Sequence, residues 1–427
     1  MDTIWAYLMW AYLELTCFFS RLRRRPKARA RASDPLRVLL ISPFPPDTHG
    51  GVYRPASLAK YAAPNGVELQ VLTNANITGA HPAGLALLAE LGESANVNVF
   101  TPHRQPSWRF FPNIDGGFVT AIGFAKHARL ALRAFRPDVV LCSGPPFCFF
   151  VAGYWLSFLW GAKLALDYRD EWGQNPFEFA RKSAFDSWWE GRCQRAAELI
   201  VFTTESQKDL NDQLFAEHLN GKTVVVQNGW DESHLVVHIA EAIPSERKDF
   251  VEIAFAGNLA EHTLPGSFLQ AMTALDKHRV PPLRLTFIGR RQKKAIQELE
   301  AVRIPAELVY EDQIPTFEVI GRLNQAGVAL IIASAGLCRY IPGKLYYYLA
   351  SRTPILVYGD PGEVSRIVES LDAGRFVATG DYEGLAKFLN DAFKELGRWD
   401  TEERRQWVAR HTRQRGAVRL FDFLKQL

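Results

Sequence analysis

The chain is poor in the features that usually betray a chemistry. Its five cysteines (Cys17, Cys142, Cys148, Cys193, Cys338) are scattered over 427 residues without a C-x-x-C. That excludes a disulfide scaffold and a zinc ribbon and fits a reducing compartment. There is no Asp-x-Asp, so a metal bridging a diphosphate has no obvious ligands. G-x-G-x-x-G, H-E-x-x-H and G-x-S-x-G are also missing. Residues 336–344 have only the outline of a P-loop, with the wrong spacing and Leu345 where Ser or Thr belongs. A net charge of +4 argues against a nucleic-acid reader. No cleavable secretion signal is expected, because the basic cluster follows the first apolar stretch instead of preceding it.

The small charge excess lies in the tail. Residues 1–35 hold seven basic side chains (Arg21, Arg23, Arg24, Arg25, Lys27, Arg29, Arg31) against Asp2, Glu14 and Asp34, while the other 392 carry 43 of each sign. The body is neutral, and any attraction to a polyanion or a membrane resides in the tail. Residues 3–20 are apolar and aromatic, but Glu14 interrupts them, and they fall slightly short of the ~20 residues a bilayer span needs. Trp5, Tyr7, Trp10 and Tyr12 are side chains that settle at headgroup level. The arginines would draw anionic lipid at ~1 kcal/mol each. The tail reads as an interfacial anchor, which would place the protein in the cytoplasm, peripheral to the inner face of the membrane. The alternatives are a helix packed on the body with a solvated basic linker, and a single span.

From residue 36, β-branched runs alternate with helical stretches, the pattern of βαβ units and a parallel sheet. Strands are expected at 37–42, 68–73, 138–142, 163–167, 199–203 and 223–226, with helices over 53–61, 117–135 and 147–161. Residues 139–162 carry no charge, yet Gly144-Pro145-Pro146 splits them into a strand and an aromatic helix, which reads as sheet core. The polar stretch 241–248 reads as a linker. A second α/β run has strands at 252–256, 283–288, 307–310, 328–332, 354–357 and 376–378, and 401–425 reads as a charged helix. The expected class is α/β: two doubly wound Rossmann-like domains facing an interdomain cleft. They cover 36–240 and 251–398, with the tail at 1–35, a linker at 241–250 and a terminal helix over 399–427. Ligands of such sheets bind at the carboxyl ends of the strands.

Several loops at those ends carry glycine or charge. Gly50-Gly51 closes the loop after the first strand, where glycine lets backbone N–H groups approach an anion; an ordinary turn is the alternative. Asp167-Tyr168-Arg169-Asp170-Glu171-Trp172 leaves an apolar strand with four charges in five positions, which suits a polar site for hydroxyl groups. A structural Asp–Arg pair is the competing use, and Asp167 is the residue best suited to it. Lys344 follows Pro342-Gly343 at a helix entrance, where N–H groups and the dipole favour a phosphate. Arg339 is a second cation in that loop, and a surface lysine is the alternative for Lys344. His49 and His262 sit in loops of the same kind, as phosphate donors or as plain loop hydrogen-bonders.

These segments, with 226–231 (VQNGWD) and the run 341–355 (IPGKLYYYLASRTPI), resemble the retaining GT-B-fold glycosyltransferases of family 4, in the polysaccharide-assembly branch. The resemblance covers about residues 36–395. It implies transfer of a sugar from a nucleotide diphosphate sugar, bound mostly by the second domain, to an acceptor glycan on the first, held on a lipid carrier. It implies retention of configuration, no metal, and no cofactor besides the sugar nucleotide. By the same resemblance, Asp170 stands beside the acceptor hydroxyl as general base or orienting group, with Arg169 and Glu171 as acceptor-site candidates. Gly50, Gly51, Gly343, Lys344 and Arg339 are the donor or phosphate candidates. The chain also departs from the family pattern. Arg339 and Tyr347 stand where many members have two glutamates, and Asn258 and Leu264 where many have an arginine and a lysine. A decayed, scaffold-like subunit partnering an active enzyme is therefore the alternative function.

Overall fold

The computed structural model describes residues 2–22, 34–46, 50–74, 82–92, 96–101, 112–176, 182–232, 249–260, 266–275, 279–314, 316–395 and 397–427. His49, His262, Leu264, the arginine-rich run at 23–31 and the stretch 241–248 lie outside these residues. Two compact units emerge: Met1–Gln227 together with Gln414–Leu427, and Asn228–Arg413.

The first unit is a parallel sheet of seven strands: β1 (Leu36–Ile41), β2 (Val67–Asn74), β3 (Asn96–Phe100), β4 (Val139–Gly144), β5 (Lys163–Tyr168), β6 (Leu199–Phe202) and β7 (Thr223–Val225). Their order is β3-β2-β1-β4-β5-β6-β7. The second is a parallel sheet of six: β8 (Val251–Ala256), β9 (Leu283–Ile288), β10 (Ala306–Glu311), β11 (Val328–Ala333), β12 (Ile355–Gly359) and β13 (Gly374–Ala378), in the order β10-β9-β8-β11-β12-β13. Both sheets grow outward in two directions from their first strand, the doubly wound pattern. It opens a ligand crevice at the carboxyl ends of β1 and β4, and of β8 and β11.

The central strands are buried on both faces, which is why they read as continuous Val/Ile/Leu runs. Residues 139–162 divide as expected into β4 and the helix Cys148–Trp160, whose side chains are almost all buried. β3 and the helix Pro82–Leu91 had no counterpart in the sequence reading. β3 alternates Asn with apolar residues at the sheet edge, so it lacks the apolar run that marks the inner strands.

The charged helix expected over 401–425 is two helices, Glu402–Arg410 and Arg413–Lys425. The second belongs to the first unit, where Ala417, Leu420, Phe421 and Leu424 are buried with Val38 and Leu40 of β1. That return is a contact between opposite ends of the chain, and no local pattern announces it. At the other end, helix Asp2–Leu22 packs on the first unit through Ala6, Leu13 and Cys17. Its Glu14 accepts from Trp155 Nε1 at 3.1 Å and pairs with Arg192 at 2.7 Å.

Candidate functional site

In the first unit the loop after β5 carries the charges, and the structure sorts them by depth. Asp167 is fully buried. It accepts two bonds from Arg54 Nε, at 3.2 and 3.0 Å, and one from Arg54 Nη2 at 2.8 Å. Ser143 Oγ donates to it at 2.7 Å. Arg54 Nη1 continues to the carbonyls of Val226 and Gln227 at 2.9 and 3.2 Å. Asp167 is thus a structural carboxylate, tying helix Tyr53–Ala62 and the end of β7 to the sheet. Arg54 escaped the sequence reading: one arginine in a helix's first turn carries no signal until its partner, 113 positions away, is known.

Arg169 and Asp170 are half-buried. The Arg169 guanidinium lies where a side chain at residue 51 would sit, so a larger residue there would displace it. It also donates to the Pro145 carbonyl, while its Nε has no hydrogen-bond partner among the described residues. Burial lowers its pKa, and Asp170 and Asp167 partly offset this. Asp170 makes no hydrogen bond with the described residues. Desolvation raises its carboxyl above the ordinary range, Arg169 opposes that, and Glu171 adds to it. Gly51, Arg169 and Asp170 therefore converge, with Gly50 in the same short turn (Gly50–Val52). Glu171 does not join them at the surface, being only 1% exposed. Behind the loop, Trp172 stacks on Phe147 at 4.9 Å and donates to Asp186 at 3.2 Å. Glu190 accepts from the Gly173 N–H at 3.0 Å and from Tyr168 at 3.4 Å, and burial pushes its carboxyl up to about 7.

In the second unit the site forms where β8 and β11 end. Strands β8, β9 and β12 all stop at a glycine with positive φ: Gly257 at 144°, Gly289 at 135° and Gly359 at 130°. A side chain at 289 would strike the Gly257 carbonyl, and one at 359 the Ala333 carbonyl. The chain leaves β11 through a loop and enters helix Gly343–Ala350 with Pro342 as N-cap. Two tethers fix that helix. Tyr348 accepts a hydrogen bond from the Ala256 N–H, beside Gly257, at 2.8 Å. At the opposite end the buried Arg404 donates to the carbonyls of Tyr348, Leu349 and Thr353 at 2.8, 2.9 and 3.0 Å. It satisfies carbonyls that a helix terminus leaves open.

So held, Lys344 projects its ammonium over the Phe255 ring at 3.7 Å, close to Gly257. It has no hydrogen bond or ion pair among the described residues, and desolvation alone lowers its pKa to about 7. A basic residue in the first turn of a helix also opposes the dipole. Gly343 is exposed, and nothing lies within 4 Å of where its Cβ would be, so packing does not require glycine there. Arg339 is half-buried in the preceding loop. Tyr347 is buried in the helix, with the Arg413 guanidinium 5.7 Å from its ring. Asn258 is exposed next to Gly257. The sequence reading found Lys344 but not Phe255, Tyr348 or Arg404, which determine its surroundings.

Residues 49–229 match the family described as Glycosyl transferase 4-like domain. No curated protein matches the chain in sequence. Among solved structures the chain is similar to Anabaena Alr3699/HepE in complex with UDP and glucose (14% identity, TM-score 0.68, 92% of this chain and 100% of that one). It is also similar to sucrose-phosphate synthase from Thermosynechococcus elongatus (13%, 0.66, 92% and 98%). A third is WaaG, a glycosyltransferase involved in lipopolysaccharide biosynthesis (11%, 0.60, 90% and 99%). Two doubly wound parallel units make this a protein of the GT-B class. Within that class, residues 49–229 are similar to a glycosyltransferase 4-like domain.

Proposed function

We propose that the protein moves a sugar from a nucleotide diphosphate sugar to an acceptor glycan on a lipid carrier, during polysaccharide or glycoconjugate assembly. Transfer retains the anomeric configuration and uses neither metal nor cofactor. The observation that carries this reading is Lys344. A desolvated ammonium with no counter-charge among the described residues, in the first turn of a helix and at the switch point of a doubly wound sheet, suits a diphosphate that supplies the missing charge. The UDP named with the Anabaena neighbour supports a uridine nucleotide. As the bond from the anomeric carbon to the diphosphate breaks, negative charge develops on the leaving β-phosphate. Lys344 and the N–H groups of its helix meet that charge where water is largely excluded. Arg339 assists from the preceding loop, and the open Gly343 lets the phosphate approach the backbone. In the first unit, Asp170 takes the proton of the acceptor hydroxyl as its oxygen bonds to the anomeric carbon. Its desolvated carboxyl suits a general base. Arg169, beside Gly50 and Gly51, orients the acceptor. The lipid carrier implies a position at the inner face of the membrane, reached through the N-terminal tail.

A second reading rests on Tyr347, whose buried ring fills the place of a family glutamate. In it the protein is a catalytically decayed subunit partnering an active enzyme. Thermal shift against uridine, guanosine and deoxythymidine diphosphate sugars separates the two. A ligand at 100 times its Kd adds about 2.7 kcal/mol of stability, followed by transfer of labelled sugar to membrane extract. A protein that binds none of them is the scaffold.

A further inference from the structure

Helix Asp2–Leu22 has two faces with opposite surroundings. The inner face is closed against the first unit: Ala6, Leu13 and Cys17 lie in its core. Trp10 meets Phe118 and Phe185 edge-on at 4.9 and 5.9 Å, and Glu14 pairs with Arg192. That fastening leaves the helix no freedom to rotate, so its other face points outward. There Ile4, Leu8, Leu15 and Phe18 are 71, 66, 59 and 57% exposed, and the exposed Ala11 lies between them. Spacings of four and three place all five in one stripe. Tyr7, Tyr12 and Phe19 flank it, also exposed, and the one charge at its edge, the 29% exposed Glu14, is paired with Arg192.

The neighbouring charge is basic. Lys126 lies over Trp5 at 5.2 Å. Arg129 lies over Tyr12 at 5.3 Å and donates to its hydroxyl at 2.9 Å. Both come from helix Phe118–Ala131, which contains no acidic residue. The sequence then continues from residue 22 into Arg23, Arg24, Arg25, Lys27, Arg29 and Arg31.

An exposed apolar stripe with a basic border is the chemistry of a helix lying in a lipid headgroup layer. We propose that this face docks on an anionic membrane, with Ile4, Leu8, Ala11, Leu15 and Phe18 toward the acyl chains and Lys126 and Arg129 against lipid phosphates. The Glu14–Arg192 lock transmits the membrane plane to the first unit, so the docked helix sets the orientation of the acceptor loops. The inference extends the membrane position proposed above and rests on it. Charge favours lipid over a second copy of the chain: another copy brings the same positive border, whereas an anionic surface neutralises it. No helix among the described residues is long and apolar enough to cross a membrane.

The test uses the full chain, sedimented with vesicles of phosphatidylcholine and phosphatidylglycerol at about 3:1 and with pure phosphatidylcholine vesicles. The wild type is expected to bind the anionic vesicles, and Leu8→Glu/Leu15→Glu to bind at least about tenfold less. Its UDP thermal shift should be unchanged. Leu8→Ser/Leu15→Ser, with a loss of several-fold, replaces the charged pair should that pair not fold. A wild type that ignores both vesicles removes the membrane position altogether. Wild-type binding that neither variant weakens overturns this proposal alone and assigns attraction to the arginine-rich run. A dimer that the variants convert to monomer, with vesicle binding intact, gives the stripe to a second copy and likewise overturns it.

Discussion

Both units place charge at the carboxyl ends of their sheets, but in opposite conditions. In the first, Asp167 is sealed from solvent and saturated by Arg54 and Ser143. In the second, Lys344 is desolvated and lies over an aromatic ring, with no hydrogen bond or ion pair among the described residues. The first arrangement is complete within the protein, whereas the second has no counter-ion among the described residues. The contrast teaches that a charged residue in a crevice loop marks a site only when the fold leaves its charge unanswered. The sequence reading already gave Asp167 the structural use and Lys344 the phosphate, and pairing in the fold is the physical difference between them.

Breaking the complete side should have the largest effect. Arg54→Met strands a buried carboxylate, and urea unfolding should show a loss of about 3–5 kcal/mol. Adding Asp167→Asn should recover part of it, because the two substitutions act on one interaction. If each single variant is nearly neutral, the clamp has been misread.

Asp170→Asn tests the residue that lies three positions beyond the clamp but outside it. Transfer should fall about 100-fold or more, with UDP affinity and folding stability nearly unchanged. A parallel loss of stability and rate would place Asp170 in the scaffolding of its loop.

Lys344→Met sharpens the other side. Affinity for nucleoside diphosphate should weaken by about 1.5–3 kcal/mol, the scale of a hydrogen bond to a charged group. The free protein should gain a little stability at low pH. Lys344 titrates near 7 when folded and near 10.4 when unfolded. The unfolded chain holds more protons between those values, so wild-type stability rises with pH there. The advantage of the Met variant should be full below pH 7 and gone above about 10.4. Calorimetry at pH 8 should also register proton uptake when UDP binds, since an anion restores the ammonium. Undiminished affinity in the variant would remove Lys344 from the site.

The smallest effect belongs to Glu190, a buried carboxyl bound to Tyr168 and Gly173 behind the loop that follows β5. Its folded pKa is raised from 4.5 to about 7, so the folded state holds the extra proton. The associated stability is full below 4.5 and lost as pH rises through 7. Glu190→Gln should flatten that slope, leaving the variant more stable at pH 8 by on the order of 1–2 kcal/mol. An unchanged pH profile would mean that Glu190 is already ionised.

Much of the fold was legible because its signals are local. Inner strands such as β4 and β11 are apolar runs bounded by turns, and a run buried on both faces cannot conceal itself. The edge strand β3 escaped because half of its side chains need no burial. Helix Arg413–Lys425 was recognised as a helix but not as part of the first unit. Glu14 was visible as an interruption in an apolar tail; its partner Arg192 lies 178 positions on. In the candidate site, Lys344 could be proposed from its place at a helix entrance, Asp170 from the family resemblance of its loop, and Gly51 from its likeness to an anion-binding turn. What glycine at 51 allows here is the close passage of the Arg169 guanidinium, which a larger residue would displace.

The sequence by itself determined two doubly wound α/β units, the loops where chemistry belongs and the family pattern those loops resemble. Periodicity and turn residues act over a few positions, and they suffice for that. Tertiary structure decided which charges are answered. It joined Arg54 to Asp167, left Glu171 buried and Asp170 half-open, and set Lys344 over Phe255 through Tyr348 and Arg404. Pairing and desolvation are properties of space, and the groups that control them here lie tens to more than a hundred residues apart along the chain.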